Sequence, residues 1–180
     1  MALDFSKIII IDLEATCWQK KKPKGVHHDV IEFGVAVLEV ATGDILANEG
    51  LLVQPTSSEV SPFCTELTTI TAEMVADAPD FKTACQQLGE QFNTKRHPWA
   101  SFGAYDYNQL QRQCSREQVA FPLSAQHLNV KALFALKHGL QQPLGMAGVL
   151  QRLNLPLEGT HHRGIDDARN IAHILYRLLN

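Results

Sequence analysis

The stretch "IIIIDLEAT", Ile8 to Thr16, sets the frame for the rest of the chain. Four consecutive isoleucines suit a strand buried on both faces. Side chains alternate along a strand, so residues two apart point the same way. Asp12 and Glu14 therefore project side by side from the end of a buried element. Like charges held that close repel, and a shared proton or a cation between them is expected.

At 180 residues, 45% of them hydrophobic and 19% charged, the chain fits a single globular domain, residues 1–180, with a core of useful size. The net charge of −3 argues against bulk electrostatic attraction to nucleic acid. Any phosphate partner must be held locally or through metal ions. Four cysteines, with no C-x-x-C pair, fit neither a cysteine zinc site nor a disulfide framework. No apolar run is long enough to span a bilayer, and "MALDFSKIIII" lacks the features of a signal peptide. A reducing, cytoplasmic setting is the expectation, with no membrane association. Nothing in the sequence marks a protein partner.

Working outward, "QKKKPKGVHHD" (Gln19 to Asp29) is a basic loop directly after the acid-tipped strand. Two β-branched runs around "TGD" (Thr42 to Asp44) predict a hairpin, so three strands open the fold. Thr71 is a candidate helix N-cap, with Pro79 as the stop. Phe81, Ala84, Leu88 and Phe92 recur at helical spacing. "PWASFGA" predicts a short strand ending near Asp106. Helices are expected over 107–118, 130–139, 144–153 and from about Asp166 to Leu179. The class is α/β, a mixed central β-sheet flanked by α-helices.

Two further acidic sites accompany the strand-end pair. Asp106 follows a predicted strand, and "HHRGIDDARNIAHIL" places His162 before the last helix with Asp166 and Asp167 in its first turn. Separately, such acids are turn residues, or serve a helix dipole. Carboxylates from distant segments converging at one sheet end make a hard-cation site of oxygen ligands, suited to Mg²⁺ or Mn²⁺. A pair of such ions activates water for phosphodiester hydrolysis, and a nearby histidine can take its proton.

"DLEAT" (Asp12 to Thr16), Asp106 and "HRGIDD" (His162 to Asp167) resemble the three motifs of DEDDh-family 3′–5′ exonucleases. "FCTELTTITAEMV" (Phe63 to Val75) and "GIDDARNIAHI" extend the likeness to the Eri-type group, which includes histone-mRNA 3′-end exonuclease. The resemblance covers nearly the whole chain. It implies an RNase H-like fold and removal of 5′-mononucleotides from the 3′ end of single-stranded nucleic acid, RNA or DNA. It also implies two metal ions, with Asp12, Glu14 and Asp167 as direct ligands and Asp106 supporting the second ion. Glu14 and His162 would be catalytic, with His162 the general base. Ala15 and Thr16 would approach the terminal nucleotide through their backbone, and Leu67 to Ile70 would touch its base or sugar. The chain departs from its relatives at Thr69, where they often have Gly, and at Tyr105, where they often have Trp.

The remaining candidates have ordinary readings beside the functional ones. Trp18 is a base-stacking residue or a core residue; Lys20, Lys21, Lys22 and Lys24 form a phosphate contact or a solvated turn. Arg163 and Arg169 meet the departing strand or form surface salt bridges. His161 is expected in solvent. Helix spacing puts Asp167 at the head of the apolar row Ile171, Ile174 and Leu178. Asp166 heads the polar row Asn170, His173 and Arg177, expected to face water. A nuclease fold retained only for binding is the alternative, against which the full set of acids and His162 stands.

Overall fold

The isoleucine run is the middle of the sheet. In the computed structural model, which describes residues 2–180, Lys7–Ala15 forms strand β1 between an antiparallel neighbour, β2 (Val30–Glu39), and a parallel one, β4 (Trp99–Ser101). β3 (Ile45–Leu52) continues beyond β2 through the predicted hairpin, and β5 (His127–Asn129) lies outside β4, giving the order β3-β2-β1-β4-β5. The central position explains the composition. Ile8 to Ile11 are all buried because both faces of β1 are covered.

The two faces are covered by different helices. Ile9, Ile11 and Leu13 join a core with Phe81, Leu88, Leu110 and Cys114, from α3 (Phe81–Phe92) and α4 (Tyr105–Glu117). Ile8 and Ile10 join another with α5 (Val130–Lys137), α6 (Met146–Arg152) and α7 (Gly164–Leu179). The faces therefore follow the alternation read from the sequence. Asp12 and Glu14 belong to the row that faces α7.

α7 reaches that row through glycine. Gly34 of β2 is paired with Asp12, and a Cβ on Gly34 would overlap the backbone of Gly164. A Cβ on Gly164 would in turn come within 2.9 Å of Gly34 N and 3.1 Å of Asp12 O. Helix start and strand thus meet backbone to backbone, a reason for a glycine inside a strand.

Several boundaries differ from the sequence expectations. α4 begins at Tyr105, so Asp106 lies in a first helical turn rather than in a loop after a strand. α7 begins at Gly164, before Asp166. Two short helices, α1 (Pro62–Thr68) and α2 (Ala72–Ala76), follow β3. The Thr71 cap of α2 is as expected, its hydroxyl accepting from Met74 N. α1 was not expected, although Ser61 caps it and Pro62 occupies its first turn. The row of Asp166 is corrected at Asn170, which is fully buried. Its amide spans the Glu158 backbone, accepting from Glu158 N at 3.0 Å and donating to Glu158 O at 2.8 Å, and so ties the preceding loop to α7.

Candidate active site

Three acids from the two ends of the sequence come together. Asp12 and Glu14 leave the end of β1, and Asp167 leaves the first turn of α7 where the glycine contact brings it in. One oxygen from each lies within 4.8 Å of the others. They border a cleft of about 370 Å³, together with Asp106, His161, His162, Ala15 and Leu67. Asp106 is on its wall but outside that trio: its Oδ1 accepts from Leu13 N at 3.0 Å. One carboxylate oxygen is thereby spent on fixing the strand end.

Negative groups outweigh countercharge around the cluster. Desolvation, then the neighbouring acids Asp106, Glu14, Asp167 and Glu32, push the Asp12 carboxyl well above its ordinary range. Burial, followed by Asp167, Glu32 and Asp106, pushes Glu14 up to about 9, with Arg163 partly opposing. Asp106 rises to about 6, chiefly through burial, with the hydrogen bond from Leu13 opposing. Ionisation of these acids is therefore disfavoured by one another, as the adjacent acids at the strand end demand. A divalent cation answers the same electrostatic need, and an all-carboxylate donor set suits a hard one. The residues present fit such an ion.

Glu32 was missed by sequence reasoning. It is buried on β2 directly opposite Glu14, where its carboxylate accepts from Gly164 N at 2.8 Å and pairs with Arg163 at 3.2 Å. It therefore anchors the start of α7. Its signal was a lone acid inside the apolar run "VIEFGVAV". Asp29 was missed too. Its buried carboxylate gathers Thr56 N, Ser57 N and Arg116, fixing the loop beyond β3.

The histidines differ. His162 has its backbone at φ 66°, and its N–H donates to Asp167 Oδ2 at 2.9 Å. Its half-buried ring has a pKa below the ordinary 6.5, through desolvation and then His161, with Asp167 opposing. His161 is exposed as expected, yet its Nδ1 lies 3.0 and 3.1 Å from the two Asp167 oxygens, and its ring stacks on His162 at 4.0 Å. A second possible donor group is thus His161, His162 and Asp167.

Among the proposed nucleotide contacts, Ala15 and Leu67 border the cleft, whereas Thr16 and Ile70 do not. Thr16 is buried, its hydroxyl accepting from Asp29 N at 2.9 Å and bonded to Ser58 at 2.7 Å. Ile70 is buried with Ile31, Cys64 and Val75. Both side chains serve the framework beneath the cleft. Thr69 ends α1 at φ 62°, a conformation that favours glycine, and its hydroxyl accepts from Arg163 at 3.2 Å. Arg163 and Arg169 are engaged internally, the latter donating to Asn48 at 2.7 Å. Trp18 packs against His28, ring centroids 5.4 Å apart. Tyr105 lines the cleft mouth with half its surface exposed. Asp166 accepts from Thr160 N at 2.8 Å, bracing the loop that carries both histidines. All four cysteines are free thiols, and among the described residues no helix is long and apolar enough to cross a membrane.

The chain is similar to known nucleases along nearly its whole length. The exonuclease family model (RNase_T) matches residues 9–175. ERI1 exoribonuclease 2 of Danio rerio is 31% identical, over 97% of this chain and 35% of its own. Human 3′-5′ exoribonuclease 1 is 28% identical, over 97% of this chain and 53% of its own. The crystallographic nuclease domain of 3′hExo, a DEDDh family member bound to rAMP, matches with a TM-score of 0.88 and 28% identity, over 99% of this chain and 94% of that one. The chain spans about a third of the length of the first of these curated relatives and about half of the second.

Proposed function

Because this chain belongs to the exonuclease family, and to its DEDDh type, we propose that it is a metal-dependent 3′–5′ exonuclease releasing 5′-mononucleotides from single strands. The observation that carries the reading is the convergence of Asp12, Glu14 and Asp167 within 4.8 Å in a cleft that His162 borders. A pure binding module would gain nothing from a charge cluster that destabilises itself. RNA is the favoured substrate, since the relatives are exoribonucleases and the similar nuclease domain holds rAMP.

Asp12, Glu14 and Asp167 would hold two Mg²⁺ or Mn²⁺ ions, with Asp106 supporting one of them. Bound there, the ions would supply the charge that activates water and steadies the leaving oxygen. The chain's own residues do the rest. Leu13 N keeps Asp106 turned towards β1, and Glu32 with Arg163 holds the start of α7, so Asp167 stays in register. His162, neutral above its lowered pKa, accepts the proton of the attacking water. Ala15 and Leu67 line the position of the terminal nucleotide, while Thr16 and Ile70 hold that floor from below. Four free thiols fit a reducing compartment such as the cytoplasm.

The test is digestion of a 5′-labelled single-stranded RNA and its DNA counterpart with Mg²⁺. A shortening ladder, slowed by a 3′-phosphate and stopped by chelator, is the expected result. Cuts in a circular single strand, or full activity in chelator, overturn the reading.

A further inference from the structure

Among the described residues bordering the acidic cleft, Lys131 is the single lysine or arginine. Its ammonium forms no salt bridge or hydrogen bond with another described residue, although carboxylates form the cleft floor. It is the second residue of α5, whose N-terminus Asn129 caps by accepting from Ala132 N at 3.0 Å. That placement is electrostatically adverse, because the positive end of a helix dipole opposes a cation in its first turn. The lysine is also half-buried rather than free on the surface. Its stem lies beside the loop leading to Asp106: a Cβ on Gly103 would sit 3.9 Å from Lys131 Cδ. The backbone beneath it is anchored, since Val130 and Phe134 of the same helix are fully buried.

A solvated surface lysine would not border the acidic cleft, and a structural one would have an anionic partner. Charge arithmetic points to the occupant. Two divalent cations would balance the four acids Asp12, Glu14, Asp106 and Asp167, leaving the negative charge of an entering phosphodiester without compensation. We propose that Lys131 binds a backbone phosphate near the 3′ end of the strand and positions that strand in the cleft. This rests on the exonuclease reading but assigns a residue outside the acids and histidines.

The experiment measures binding of a 5′-fluorescent single-stranded hexanucleotide to the full chain by anisotropy, in chelator so that no turnover occurs, across a salt series. K131M should weaken binding several-fold and lower the slope of log affinity against log salt by about 0.7, the share of one phosphate on a single strand. K131R should restore both. Methylphosphonate placed singly at each of the last three linkages should weaken wild-type binding at one linkage and leave K131M unaffected there. With Mg²⁺ present, K131M should raise KM more than it lowers kcat. A K131M protein with the wild-type salt slope and the wild-type methylphosphonate response overturns the assignment. If the wild type cuts normally and K131M matches it, only the lysine assignment fails. A wild type that neither binds nor cuts overturns both readings.

Discussion

The two faces of β1 run alike for four residues and then part. On one, Ile9 and Ile11 are followed by Leu13, and the row stays apolar under α3 and α4. On the other, Ile8 and Ile10 are followed by Asp12 and Glu14, and the covering helices open into the cleft. The first face contributes stability by burying hydrocarbon. The second gives some of that up, gathering acids whose pKa values burial and their neighbours' charges raise. One strand therefore carries both the hydrophobic centre of the molecule and its least comfortable charges, separated only by the direction a side chain points.

The largest expected effect separates the faces outright. Asp12→Asn should bring turnover below detection while the metal-free fold is retained or gains stability. Leu13→Ala, one residue away, should cost about 2–5 kcal/mol of stability and reduce activity only as the folded fraction falls. Glu14 supplies the pH signature. Its carboxyl is protonated in the folded chain up to about 9 but ionises from an ordinary 4.5 when unfolded. The metal-free protein should therefore lose stability as pH rises through that window, and Glu14→Gln should flatten the slope. Thermal melts in chelator at several pH values would check both; a rising Tm would contradict the arrangement.

A smaller contrast lies between the neighbouring histidines. His162→Ala should lower kcat by about 10²–10⁴-fold with metal binding kept. His161→Ala should retain most turnover, although it frees both Asp167 oxygens from a neighbour. Because the His162 pKa lies below its ordinary 6.5, the acid limb of the wild-type rate profile should fall below that value. Steady-state rates from pH 5 to 8, with metal titrations, would distinguish them. A reversed ranking would make His161 the base.

The smallest effect is expected at Asp166, in contrast with its neighbour Asp167. Asp166→Asn should cost about 0.3–1 kcal/mol through the helix N-terminus and keep most activity. Asp167→Asn should be inactive with its fold intact. Denaturation and turnover of the pair would show it, and an exchange of phenotypes would misplace the helix.

The chemistry was more legible in the sequence than the scaffold around it. A period of two exposed the pairing of Asp12 with Glu14, and a period near 3.6 separated Asp167 from Asp166. Both rest on local backbone geometry. Asn170 escaped because its burial depends on a loop folding back to Glu158, a contact no periodicity encodes. β5, three residues long, is too short to show alternation. Glu32 looked like an interruption in a strand because the group it serves lies 132 residues away at Gly164. Thr16 and Ile70 sit beside cleft residues in sequence, but their side chains turn inward, which only the packing decides.

The meeting of Gly34 with Gly164 has a consequence for how this molecule can vary over generations. Neither position touches substrate in the proposed reaction, so selection on contacts would leave both free to change. Yet at Gly34 the smallest chiral side chain would have to displace the first turn of α7, and Asp167 would move with it. Both positions are therefore closed to neutral drift, and the spacing between Asp12 and Asp167 is kept by two α-hydrogens.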